Sequence, residues 1–395
     1  VEYEILRPPP RRRRNIGIIA LVIVIVGVAT GAYLIGHAPA ASQHTASDRT
    51  ASTPGTAGRS SAAGTRPLSV MSTVPASGAT NVPSDQVVTV TLSAPVAGTS
   101  GLPVFNPPVA GTWKRVGTSS ISFSAAAPFI PTASETMTIP AGATGVRSAS
   151  GAVLAAPVTT TFVVAQASTE RLQQLLAQLD YLPVSFTPTG PVPSPAEAAT
   201  AQPGTFAWRW PDLPPDLTSL WIEGSENVIT KGALMTFQSS HGLEVDAIAG
   251  TQVWTALLAD SAASKVTTAA YTDVLVSKQV PETLTVYQDG APVMANVAVN
   301  TGAPGADTAD GTFPVFEHVP SSRMQGTNPD GSTYDDPDVP WASYFNGGDA
   351  LHGFVRATYG TPQSNGCVEM PVAVAAQVWP LTPVGTLVTV IGPPS

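Results

Sequence analysis

The chain has 395 residues, 43% apolar and 11% charged, with one cysteine and a formal net charge of −9. That charge argues against nucleic-acid binding, which needs a basic face to neutralise phosphates. One thiol excludes a disulfide framework and any zinc site built on several thiolates. The length suggests two to three domains at roughly 100–200 residues each. The 34 Gly and 39 Pro predict many turns and few long helices.

Charge is concentrated at the start. Arg7 and Arg11 to Arg14 stand against only Glu2 and Glu4 in residues 1–15. The apolar run IGIIALVIVIVGVATGAYLI follows at 16–35, and about 20 apolar residues span a hydrocarbon core. This predicts a cytoplasmic tail over 1–15 and a transmembrane helix over 16–37. By the positive-inside rule, the rest of the chain is then extracytoplasmic. A cleaved signal peptide is the alternative, with Ala38-Pro39-Ala40 as a small-residue cleavage site. Residues 38–66 are almost all Ala, Ser, Thr, Gly and Pro and read as a flexible linker.

Short β-branched runs separated by turn residues fill 67–165: Val87 to Leu92, Ser120 to Phe123, Thr136 to Ile139 and Thr159 to Val164. They predict an antiparallel sandwich with Trp113 as a core aromatic. At Ser168 the pattern changes. Ser168 is a helix N-cap candidate, and Leu172, Leu175, Leu176 and Leu179 recur at helical spacing. A Pro-rich interval over 183–215 precedes a second helix, Thr230 to Gln238. The last unit, 265–392, reads as β-rich. Its strands lie near Val274, Thr283 to Tyr287, Val293 to Val299 and Thr386 to Ile391, with one short helix from Val372 to Trp379. Gln288-Asp289-Gly290 fits a hairpin turn.

The chemistry centres on Cys367. It lies in the polar turn Ser364-Asn365-Gly366-Cys367, followed by Val368 to Pro371 and then the short helix, where a helix N-terminal field would lower a thiol pKa. Gly366 permits an unusual backbone, so that N–H groups of the turn can face an oxyanion. A thiol nucleophile needs a base. Of the five histidines, His37, His44 and His241 lie in other segments. His352, fifteen residues before Cys367, is the leading candidate and His318 the second. The nearby acid Asp349 is expected on the opposite strand face. The orienting group for His352 is then a backbone carbonyl, with Gly353 the candidate.

Three resemblances attach to these residues. VPASGATNVPSDQVVTV, at 74–90, resembles the opening of bacterial Ig-like domains. LQQLLAQLDYLPV with ITKGALMTFQSSHGLEVDAIAGTQVWTALL resembles a peptidoglycan-binding helical module over 168–260, interrupted by an insertion over about 183–225. HGFVRATYGTPQSNGCVEM, together with DGTFPVFEH upstream, resembles the L,D-transpeptidase catalytic domain of the YkuD type over 265–392. The implied fold is a mainly β multidomain chain: an Ig-like sandwich, a small helical module and a β-rich catalytic domain.

The catalytic resemblance implies Cys367 as nucleophile and His352 as base. Backbone N–H groups around Ser364, Asn365 and Gly366 would form the oxyanion site, and Tyr334, Trp341 and Tyr344 would line the substrate groove. Asn365 stands where the family has His. Glu369 stands where many relatives have Arg or Asn, and it cannot contact a substrate carboxylate. The implied activity is formation of 3→3 peptidoglycan cross-links between stem peptides through a Cys thioester, with no metal or cofactor and with acylation by carbapenems. Water as acceptor would give an L,D-carboxypeptidase. A cysteine endopeptidase of the wall and a wall-binding scaffold are the competing readings.

Overall fold

The computed structural model describes residues 66–98, 101–191 and 195–392. The segments expected to form a cytoplasmic tail, a transmembrane helix and nearly all of a linker lie outside the described residues. Among the described residues no helix is long and apolar enough to cross a membrane.

The β-branched runs of the first module pair as two four-stranded sheets. One has the order β1 (Val70–Val74), β3 (Val88–Leu92), β6 (Ser120–Ala125), β5 (Gly111–Val116). The other has the order β2 (Ala79–Val82), β8 (Val158–Val164), β7 (Ser134–Ile139), β4 (Val104–Phe105). Alternate residues of β3 are buried, as a half-buried strand requires. Val88, Val90, Phe123, Met137 and Phe162 fill the space between the sheets, and Trp113 packs on Phe123 with centroids 5.2 Å apart. This is the predicted sandwich, with one departure: its strand pairs are antiparallel except β2 with β8, which are parallel.

The second module is built on three helices. In α1 (Thr169–Gln178) the Ser168 side chain accepts a hydrogen bond from the Arg171 N–H, so the predicted N-cap is present. Leu172, Leu175, Leu176 and Leu179 all enter one core with Ile229, Phe237 and Trp254 from α3 (Val228–Ser240) and α4 (Thr251–Ala262). The Pro-rich insertion between α1 and α3 forms a hairpin of β9 (Val184–Pro188) with β10 (Gly204–Trp208), then the one-turn α2 (Pro215–Thr218). His241 bonds Asp260 at 2.8 Å and stacks on Phe237, so it closes the end of α3 and takes no part in the groove below.

The third module has two sheets. The first has the order β13 (Ala291–Ala298), β12 (Thr283–Gln288), β11 (Thr272–Ser277), β19 (Leu387–Ile391), β14 (Gly311–Pro314). The β12–β13 turn has positive φ at Asp289 and Gly290, as a primed hairpin turn requires. The second sheet has the order β15 (Glu317–Thr327), β16 (Thr333–Asn346), β17 (Asp349–Gly353), β18 (Val368–Met370). The short α5 (Val372–Val378) follows β18 and packs on β16 and β17. Leu387 at the head of β19 belongs to the core of the helical module. A Cβ on Gly232 of α3 would come within 2.7 Å of the Gly385 carbonyl and 2.8 Å of the Leu387 side chain. The helical module and the five-stranded sheet of the third module therefore share one packed seam.

Asp273 on β11 is 4% exposed, and its Oδ1 has no hydrogen-bond partner among the described residues. Burial lifts its pKa to about 7. A carboxyl raised in the folded state contributes stability that is full near pH 4 and is lost as pH rises through 7. Asp273→Asn is expected to make the chain more stable than wild type at pH 8, by up to about 4 kcal/mol. That advantage should vanish near pH 4, and urea unfolding at the two pH values checks it.

Candidate active site

β17 and β18 pair in parallel, with Leu351 opposite Val368, His352 opposite Glu369 and Gly353 opposite Met370. This pairing brings His352 beside the segment that starts at Cys367. A parallel pair needs a crossover of a dozen residues or more, which accounts for the separation of the two residues in the sequence. His352 and Cys367 line one groove of about 480 Å³ with Tyr334, Tyr344 and Asn365. A larger cleft of about 690 Å³ lies between α1, α3 and β14, but it holds neither cysteine nor histidine. The chemistry belongs to the smaller groove.

His352 is buried, and its Nδ1 lies 3.1 Å from the Gly353 carbonyl. With Nδ1 donating to that carbonyl, Nε2 is left as the proton acceptor. Burial lowers the His352 pKa, against smaller opposing effects from the Gly353 carbonyl and Glu369. The imidazole is therefore neutral at pH 7. Cys367 donates to the Gly348 carbonyl at 3.5 Å. Burial pushes its pKa up to about 12, helped by Asp349 and Glu369 and opposed by the Ala350 N–H. The resting site is a neutral thiol beside a neutral imidazole.

The low thiol pKa expected from a helix terminus is thus overturned. β18 and Pro371 stand between Cys367 and α5, so the thiol does not sit at the helix N-terminus. Desolvation is the largest influence on it.

The nucleophile turn is held tightly. The Ser364 hydroxyl donates to the Cys367 carbonyl at 2.5 Å, and the Ser364 N–H donates to the Thr301 carbonyl. Gly366 is buried at φ +108, and a Cβ there would run into the Asp349 carboxylate. Only glycine satisfies both constraints. Asn365 is exposed, and its Nδ2 donates to Asn328 Oδ1 at 2.6 Å. Asn328 sits at the turn between β15 and β16, so Asn365 ties the nucleophile turn to that hairpin.

The expected groove aromatics divide. Tyr334 and Tyr344 line the groove, and the Tyr344 hydroxyl is paired with Ser322 at 2.8 Å. Trp341 is not among the lining residues. It has a left-handed φ of +62, and its ring packs on Trp379 with centroids 5.3 Å apart. His318 stacks on the same Trp379 and bonds Ser343, so the second candidate base is also outside the groove. Asp349 was expected to face away, yet it lines the groove and abuts Gly366.

Two features were missed in the sequence. Glu369 is directly opposite His352, and Arg356 clamps it with bonds of 2.7 and 2.8 Å. The Arg four residues after the candidate base was the available signal. Among the described residues no cluster of His, Cys, Asp and Glu has metal-site geometry.

Residues 272–390 match the L,D-transpeptidase catalytic domain family, residues 64–164 a bacterial Ig-like domain family, and residues 222–257 a peptidoglycan binding domain family. Among solved structures, the L,D-transpeptidase from Mycobacterium smegmatis is 14% identical over 82% of this chain and 100% of its own, with a TM-score of 0.29. L,D-transpeptidase 3 from Mycobacterium tuberculosis is 12% identical over 82% and 98%, also with a TM-score of 0.29. The catalytic domain of the E. faecium L,D-transpeptidase is 24% identical over 32% and 100%, with a TM-score of 0.28. A comparison with curated proteins found no match.

The base form of His352 persists below the ordinary imidazole pKa of about 6.5. The acidic limb of the rate of Cys367 acylation is therefore expected below pH 6.5, as a pH–rate profile will show. Gly366→Ala forces strained backbone and a clash with Asp349. It should cost about 1–3 kcal/mol of stability in urea unfolding and slow acylation by about tenfold or more.

Proposed function

We propose that this chain joins peptidoglycan stem peptides by 3→3 cross-links, a reading supported by the match of residues 272–390 to the L,D-transpeptidase catalytic domain family. The observation that carries the reading is the convergence of His352 and Cys367 on one groove, with the base oriented by the Gly353 carbonyl.

The steps follow from that geometry. Nε2 of His352 takes the thiol proton as Cys367 Sγ attacks the carbonyl of the L-centre in the third residue of a donor stem. Proton and nucleophile move together, so a thiol with a high pKa needs no standing thiolate. The oxyanion of the tetrahedral intermediate would lie against the N–H groups of Asn365, Gly366 and Cys367. No hydrogen bond among the described residues occupies these groups. Collapse breaks the peptide bond, His352 delivers its proton to the departing D-Ala amine, and a thioester remains. The side-chain amine of a second stem then attacks the thioester and loses a proton through His352. The thiol is restored and the cross-link formed. Water in place of that amine gives the carboxypeptidase reaction.

The remaining modules suit a wall enzyme. The apolar run at 16–35 would hold the chain in the cell membrane with its C-terminal part outside. The linker, Ig-like module and helical module would set the catalytic groove at a distance from that membrane and raise its effective concentration at the wall.

Intact mass of the purified full chain after incubation with a carbapenem tests this reading. A covalent adduct is expected on wild type and none on Cys367→Ala or on the His352→Ala variant at short times. Tetrapeptide muropeptide monomers should then give dimers with release of D-Ala. A folded wild-type chain that takes no adduct and makes no dimer would overturn the reading. Release of soluble fragments from intact wall would favour an endopeptidase instead.

A further inference from the structure

The groove places acids around the nucleophile. Tyr334, Asp336 and Tyr344 face it from β16, Asp349 from the start of β17, and Glu369 from β18. Glu369 lies two residues beyond Cys367 along an extended segment and directly opposite His352, so all three side chains share one side of the paired strands. Glu369 is only 4% exposed. An uncompensated carboxylate there would oppose negative charge on Cys367 Sγ through a medium that screens poorly.

Two cations line the groove. Arg323, from β15, is tied to Asp335, and both of those side chains are largely exposed. Arg356 is different. Its Nε and Nη2 each bond one Glu369 oxygen, at 2.7 and 2.8 Å, a two-pronged geometry that fixes the guanidinium in its plane. The same guanidinium lies 4.7 Å above the Phe354 ring. The Arg356 N–H donates to the Tyr359 hydroxyl, which in turn donates to the Phe354 carbonyl. The crossover loop is folded so as to hold this arginine against that carboxylate.

We propose that Arg356 is a positioning residue of the reaction, which cancels the Glu369 charge beside Cys367 and His352 and so makes negative charge on the sulfur attainable. Arg356 acts through Glu369 and need not touch the substrate. The pair also explains how Glu is accommodated at position 369, since the cation missing from that position is supplied by the loop. The inference rests on Cys367 being the nucleophile.

Cys367 is the only cysteine in the chain, so its ionisation can be read by alkylation alone. The full chain, purified in detergent, is treated with iodoacetamide from pH 7 to 9.5 and followed by intact mass. The variants are Arg356→Met, Glu369→Gln and the double variant, each checked for folding by circular dichroism. A one-unit rise in thiol pKa cuts the thiolate fraction tenfold. The greater nucleophilicity of a more basic sulfur partly offsets this, leaving a slowing of about three- to fourfold.

Arg356→Met should raise the thiol pKa by at least one unit and so displace the log rate–pH line by about half a unit or more to higher pH, a slowing of about threefold or more at pH 8.5. The double variant should return to within about twofold of wild type, and Glu369→Gln alone should react faster than wild type. An unchanged line for Arg356→Met, or a double variant as slow as the single one, would overturn the proposal. If Arg356→Met does not fold, Glu369→Gln decides: equal or slower alkylation sinks the idea. Carbapenem acylation of wild type separates the two readings. If it is absent while alkylation follows the expected order, the transpeptidase reading falls and the charge-compensating pair stands. If it is present but alkylation ignores Arg356, only the pair is lost.

Discussion

The parallel pairing of β17 with β18 is the constraint on which the site depends. Two parallel neighbours cannot be joined by a tight turn, so the chain must leave the sheet after Gly353 and re-enter at Val368. That excursion carries Arg356, and its end forms the turn Ser364 to Cys367. Its return point sets Cys367 beside the histidine that the first strand has just delivered. Gly366 is needed because the turn passes against Asp349 at the start of β17. Asn365 then reaches Asn328 because the same turn emerges beneath the β15–β16 hairpin. Register, loop path and charge pairing are thus one arrangement.

The electrostatics of that arrangement favour a quiet resting state. Burial acts on the two reacting groups in opposite senses, raising the thiol and lowering the imidazole. Both are uncharged before substrate arrives. A protonated thiol is a poor target for oxidants, whose reactions run through the thiolate. Reactivity is drawn out only when His352 accepts the proton during attack.

Much of this was legible in the sequence, for identifiable reasons. The leucine stripe of α1 and the β-branched runs of β3 and β8 read correctly because each follows the period of its own element. Cys367 and His352 stood out because the chain offers a single thiol and few histidines. The side chains around them were harder. Trp341 sits at a left-handed φ in a strand whose pairing with β15 and β17 shifts register, so its direction follows backbone irregularity and not sequence position. The Arg356–Glu369 clamp depends on the path of the crossover loop, which no periodicity encodes. The thiol pKa was misjudged because the three residues of β18 intervene before the helix. A short strand directly after a turn carries little pattern of its own.

The seam at Leu387 bears on how the modules are joined. Leu387 belongs by hydrogen bonding to the five-stranded sheet of the third module and by packing to the helical core, while Gly232 and Gly385 let the two backbones close on one another. The segment between α4 and β11 is therefore not a hinge between two self-sufficient bodies. Severed there, each half would open a greasy face to water, and the sheet would lose the buttress behind the strand beside β11. The helical module is thus packed into the same compact unit that carries the thiol.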